Sequence, residues 1–220
     1  MSLRPASTNP ITSPVNSYTV SKRINLIREN FKKIEDLYKH EHNALQAQHD
    51  EEVERTKDHE DDDDFNYTYA SDLQTVEECF VRSNRVSTLL LCYSFIESVM
   101  KDVCLIKKEQ MKITLSESDL KGNGIFRSET YLEKVAKIDI SNPGINGTWV
   151  HLKRLNKIRN YLSHAEGNVK KIDRGDFNKE VNLTSGGVTI DRYGLIHITE
   201  KYVEESIDRA ENFILYLLKQ

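Results

Sequence analysis

The chain has 220 residues, 30% of them charged, with only nine glycines and four prolines. That length can bury a sizeable core in one large domain, or in one domain with an extension, and the shortage of turn formers favours helices over a turn-rich β fold. No apolar run is long enough to cross a bilayer and no charged-then-apolar leader opens the chain, so the expectation is a soluble, cytoplasmic protein without a membrane partner.

Cys79, Cys92 and Cys104 lack metal-ligand spacing and fall within helical stretches. They read as small apolar packing in a reducing compartment, where Asn66-Tyr67-Thr68 carries no glycan. The net charge of −4 is unevenly spread. Residues 50–64 hold ten acids against Arg55 and Lys57, a local −8 that leaves +4 for the remainder. Residues 147–175 hold seven Lys and Arg against Glu166 and Asp173, a local +5. A phosphate-bearing partner fits that basic stretch, and so does a solvated helix face carrying lysines.

Residues 1–17 are rich in Ser, Pro, Asn and Thr without apolar periodicity, the pattern of a disordered tail. From about Thr19 the spacing predicts a helix through Ile24, Ile27, Phe31, Ile34 and Tyr38, fading after Leu45. The acidic block from Asp50 reads as a solvated linker, so residues 18–64 form an N-terminal helix and linker ahead of a helical domain at 65–220. An autoinhibitory role for that block, mimicking nucleic acid against the basic helix, is the less favoured alternative. His40, His42, His49 and His59 lie among these acids, but nothing sets a ligand geometry, and no metal or cofactor is expected.

A long helix is expected from about Ser71 to Lys108 as the buried spine. One stripe is Leu89, Cys92, Ile96, Val99, Val103 and Ile106; its neighbour is Val86, Leu90, Tyr93, Glu97, Met100 and Cys104. Glu97 therefore either needs a cationic partner, for which Arg159 is the nominee, or lies at the stripe's edge and reaches water. Ser116–Lys121 predicts a short capped turn, ended by Gly122-Asn123-Gly124. Ser128 is placed to cap a helix carrying Tyr131, Leu132, Val135 and Ile138. After the break at Asn142-Pro143-Gly144, a helix from about Thr148 presents Leu152, Leu155, Ile158 and Leu162 and ends near Gly167. Val188-Thr189-Ile190 and Leu195-Ile196-His197-Ile198, flanked by glycines, predict a small inserted hairpin. The last helix, 200–219, buries Val203, Ile207, Ala210, Phe213, Ile214 and Leu217. The fold class is all-α: a bundle of four to five helices with an N-terminal helical extension and the hairpin.

The chemistry concentrates at Arg159-Asn160-Tyr161-Leu162-Ser163-His164. An arginine can neutralise charge building on a phosphate, and a histidine can move protons near neutral pH. On an ideal helix the two lie about 140° apart, so they share one phosphate only through a bent last turn, a swung arginine or a second copy of the chain. The bland alternative is an arginine that caps or salt-bridges and a terminal histidine in water.

Arg159-Asn160 followed by His164 at the end of a late helix resembles the motif of the HEPN superfamily, and residues 94–102 look like that family's earlier core helix with its acid. The resemblance covers roughly residues 71–220. It implies a metal-independent endoribonuclease of toxin or phage-defence type, acting on RNA as a homodimer. In that reading His164 assists attack by the ribose 2′-OH or protonates the leaving oxygen, Arg159 stabilises the phosphate, Asn160 orients the site and Glu97 holds Arg159. Lys153, Arg154 and Lys157 would add RNA-binding charge, and an antitoxin or regulatory protein would restrain the activity. Glu166 stands where relatives modified by a nucleotidyltransferase carry tyrosine, which argues against that form of silencing. The rival readings are a non-catalytic RNA- or nucleotide-binding module and a helical interaction protein.

Overall fold

A computed structural model describes residues 15–56, 63–164, 167–170, 173–181 and 187–220. Most of the expected disordered tail therefore lies outside the described residues, as do Glu166 and His59. Helix α1 spans Ser17–Thr56. Asn16 starts it, its side chain accepting from the Thr19 amide at 2.9 Å while the Thr19 hydroxyl accepts from the Asn16 amide at 3.1 Å. The helix does not stop where its apolar stripe fades. It runs through the first acids of the expected linker because a second helix covers that half: the Tyr69 hydroxyl donates to Gln46 at 2.6 Å, and His49 stacks on Tyr69 at 4.0 Å.

That second helix, α2, spans Asp63–Gln74, so the rod begins eight residues before the expected Ser71. A π-helical segment at Thr75–Val81 joins it to α3 (Arg82–Gln110), and the junction residues Gln74 and Val81 stay right-handed helical. The two stripes read from the sequence converge on the core. Leu89, Cys92, Ile96, Val99, Val103, Tyr93, Met100 and Cys104 are all buried, as expected of a spine packed on several sides.

A short 3₁₀ turn at Glu117–Asp119 carries the expected capping box between Ser116 and Asp119. Helix α4 (Gly124–Thr130) continues into a π-helical turn at Tyr131–Val135. Ser128 does not cap it. Asn123 holds the N-cap position, and Ser128 is fully buried, its hydroxyl donating to Glu117 at 3.2 Å.

Helix α5 spans Pro143–His164, five residues longer at its start than expected. Asn142 explains the early start: its side chain accepts from the Gly144 amide at 2.9 Å, its carbonyl accepts from Asn146 at 2.8 Å, and Pro143 has no N–H to leave unsatisfied. A short helix, α6 (Arg174–Val181), was not anticipated. Strands β1 (Val188–Ile190) and β2 (Ile196–Ile198) pair antiparallel with Val188 opposite Ile198, the expected hairpin. Helix α7 (Glu200–Lys219) is capped by Thr199, whose hydroxyl accepts from the Tyr202 amide at 3.2 Å.

One hydrophobic cluster joins these elements, with α3 packed against α1, α4, α5 and α7. Trp149 of α5 stacks on Phe213 of α7 with centroids 5.0 Å apart. The first half of α1 belongs to this core, since Val20, Ile24 and Phe31 are buried in it. Charge fastens it further. Glu35, 2% exposed, accepts from Arg85 at 2.7 Å, and Arg85 also donates to the Ile198 carbonyl at 3.0 Å, tying α1 to α3 and the hairpin. Arg28, Lys32 and Lys39 pair along α7 with Glu211, Glu204 and Glu200. No described helix is long and apolar enough to cross a membrane.

Candidate functional site

Helix α5 presents its candidate residues on two flanks. Its buried row, Leu155, Ile158 and Leu162, faces the core. Arg159 stands at the edge of that row, half-buried, with its guanidinium over the Tyr93 ring of α3, 5.0 Å from the centroid. Its Nη1 donates to the Asn160 side chain at 3.0 Å. Lys153, Lys157, Asn160 and His164 fall within about 60° of one another on the other flank. Asn160 and His164 are exposed, and Lys153 and Lys157 are half-buried. Lys153 leans over Trp149 at 5.8 Å. Arg154 is turned towards α7, close enough to His151 and Tyr202 for its charge to act on both.

The expected ion pair between Glu97 and Arg159 is not formed. Glu97 accepts from Lys101 at 2.8 Å, one turn along its own helix, with its side chain 24% exposed. The edge-of-stripe alternative describes it better. Glu97 and Arg159 nonetheless share a neighbour in Tyr93, which is 3% exposed. Burial pushes the Tyr93 phenol up to about 12; Glu97 adds to the rise, while Arg159 and the Ile125 amide oppose it. Gly124 lets the first turn of α4 close over this corner. A Cβ there would lie 3.4 Å from the Tyr93 hydroxyl and 3.7 Å from the Glu97 carboxyl.

The far end of α5 is fastened from below. The Gly167 amide donates to the Tyr161 carbonyl at 3.0 Å, a helix-ending closure, and the Gly167 carbonyl accepts from Ile196 of β2 at 2.9 Å. Gly167 has φ +77°, which a side chain would strain. Tyr161 meets Phe177 of α6 edge to face at 5.3 Å. The turn bearing His164 is thus set by the hairpin and α6. Within one copy, no hydrogen bond or ion pair joins Arg159 to His164 among the described residues; the Arg159 guanidinium instead donates to Asn160.

Tyr93 is the residue that the sequence reasoning missed. It stands one turn before Glu97 in the same stripe, but an aromatic in an apolar row reads as core, and only the position of α5 reveals its second task. A cavity of about 740 Å³ lies elsewhere, between α1, the π-helical segment and β2, lined by Glu35, His42, Glu77, Arg85 and His197 among others. None of the candidate site residues lines it. Several of its lining charges are paired: Arg85 with Glu35, and Lys39 with Glu200 of α7, while His42 lies 3.5 Å from Glu77. No group of His, Cys, Asp and Glu among the described residues could hold a metal ion. Comparison with protein-family models, with curated proteins and with solved structures returns no match.

Proposed function

We propose that this protein is a metal-independent endoribonuclease of the HEPN kind, working as a homodimer. The observation that carries the reading is Arg159 itself. It is half-buried beside the core, has no carboxylate partner among the described residues, and lies within two turns of exposed Asn160 and His164. An arginine kept clear of carboxylates is available to a phosphodiester, which it matches with paired N–H donors.

The flanks of α5 diverge by about 140° between Arg159 and His164. The reading therefore needs a second copy, whose His164 meets the phosphate held by Arg159. His164 takes the proton of the ribose 2′-OH as that oxygen bonds to phosphorus. The P–O5′ bond breaks, the departing oxygen takes a proton from the second His164 or from water, and Arg159 offsets the charge on the phosphoryl oxygens. The products are a 2′,3′-cyclic phosphate and a 5′-hydroxyl. Lys153 and Lys157, on the His164 flank, bind the adjoining backbone. A toxin or phage-defence role, with an antitoxin or regulator as partner, belongs to the same proposal.

A non-catalytic RNA-binding module is favoured by one observation: the lysines share a flank with His164 rather than with Arg159. Purified protein incubated with mixed RNA and EDTA separates the two. The enzyme cleaves in EDTA and loses cleavage in His164→Ala, which keeps its stability within about 1 kcal/mol because the residue is exposed at a helix end. Binding without cyclic-phosphate products, or cleavage that persists in His164→Ala, refutes the catalytic reading.

A further inference from the structure

Arg159 is held against α3 by an aromatic face, where a carboxylate would be the usual anchor. A carboxylate would occupy the paired N–H groups that a phosphate needs, and the ligand would have to displace it. A ring touches the guanidinium through its plane and takes none of those donors. Of the Arg159 donors, Nη1 is used by Asn160, and the remainder meet no protein acceptor among the described residues. Tyr93 is well fixed for such a role. It is 3% exposed, belongs to the packed centre of α3, and its hydroxyl is covered by the first turn of α4 at Gly124 and Ile125. Its phenol is pushed up to about 12, so the ring stays neutral at ordinary pH. Glu97, the acid whose charge acts on Tyr93, is drawn towards Lys101 at 2.8 Å.

We propose that Tyr93 is the positioning residue of the phosphate site: its ring supports the Arg159 guanidinium from one side and leaves the N–H edge for a phosphodiester of RNA. This rests on the reading of Arg159 given above, and it adds a role that neither the motif nor Glu97 supplies. The same contact explains how a half-buried arginine is tolerated without a counter-charge.

The test is a binding cycle in the full chain, with His164→Ala as background so that RNA is not consumed. The probe is a fluorescent single-stranded RNA of mixed sequence, read by anisotropy at fixed salt. Tyr93→Phe keeps the ring and should bind within about twofold of its parent. Tyr93→Leu should weaken binding roughly three- to thirtyfold when Arg159 is present, and less than about twofold in an Arg159→Ala background. Fluorinated phenylalanines at position 93 keep the shape and drain the ring face. Affinity should fall stepwise with fluorine number, which settles the matter even where Tyr93→Leu folds poorly. Equal losses with and without Arg159, or a flat response to fluorination, overturn the inference. An Arg159→Ala variant that binds and cleaves as well as wild type removes the proposed function together with it. Weak binding by Arg159→Ala with unchanged binding by Tyr93→Leu overturns only the role of Tyr93.

Discussion

His151 is a buried histidine with no part in the proposed chemistry, and it makes the stability of this fold depend on acidity. It is 6% exposed between α5 and α7, with its Nε2 3.0 Å from the Ser206 hydroxyl and its ring 5.2 Å from that of Tyr202. Burial lowers its pKa from 6.5 to about 4, and the charges of Arg209 and Arg154 push the same way. The folded protein therefore keeps the imidazole neutral while the unfolded chain protonates it first. The stability contribution is complete above the unfolded value and drains away as pH falls from there towards about 4. A gap of that size sets a ceiling of about 3 kcal/mol, of which about 2 kcal/mol disappears between roughly pH 7 and roughly pH 5. His151→Gln, whose amide can reach Ser206, should lack this dependence. Urea denaturation of both proteins across that range measures it: the wild type should lose about 2 kcal/mol more than the variant. Parallel stability curves would refute the reasoning, because they would mean that water reaches His151 in the folded state.

Glu35→Ala should cost about 3 kcal/mol in the same assay, since it leaves Arg85, 23% exposed, without its carboxylate; a loss under about 1 kcal/mol would show that solvent screens the pair. Gly167→Ala should cost more than about 1 kcal/mol, because φ is +77° and the new Cβ would lie 3.2 Å from Leu162 and 2.5 Å from the Arg82 guanidinium. By loosening the end of α5 it should also weaken RNA binding, read by anisotropy alongside wild type. Leu155→Ala, at a fully buried position, should cost about 2–5 kcal/mol in thermal or urea unfolding.

The helices whose apolar faces repeat strongly, and the caps made by near neighbours, were legible in the residues alone. Helix α7 ends within a residue of its expected bounds because its whole buried row comes from one amphipathic period. The box at Ser116 and Asp119, and the hairpin between glycines, depend on contacts only a few residues apart. What the sequence could not decide was set by partners distant along the chain. The acidic end of α1 looks like a linker until Tyr69 of α2 lies against it. Helix α6 has little stripe of its own, and Phe177 acquires its partner only when Tyr161 arrives from α5. Ser128 reads as a cap by type, yet packing buries it beside Glu117. At the candidate site the motif names Arg159 and His164, while the crossing of α3 and α5 decides that Arg159 meets the face of Tyr93 rather than the charge of Glu97. Periodicity says which side of a helix is apolar; the angle at which two helices meet says which residues touch, and that angle comes from the packing of the whole core.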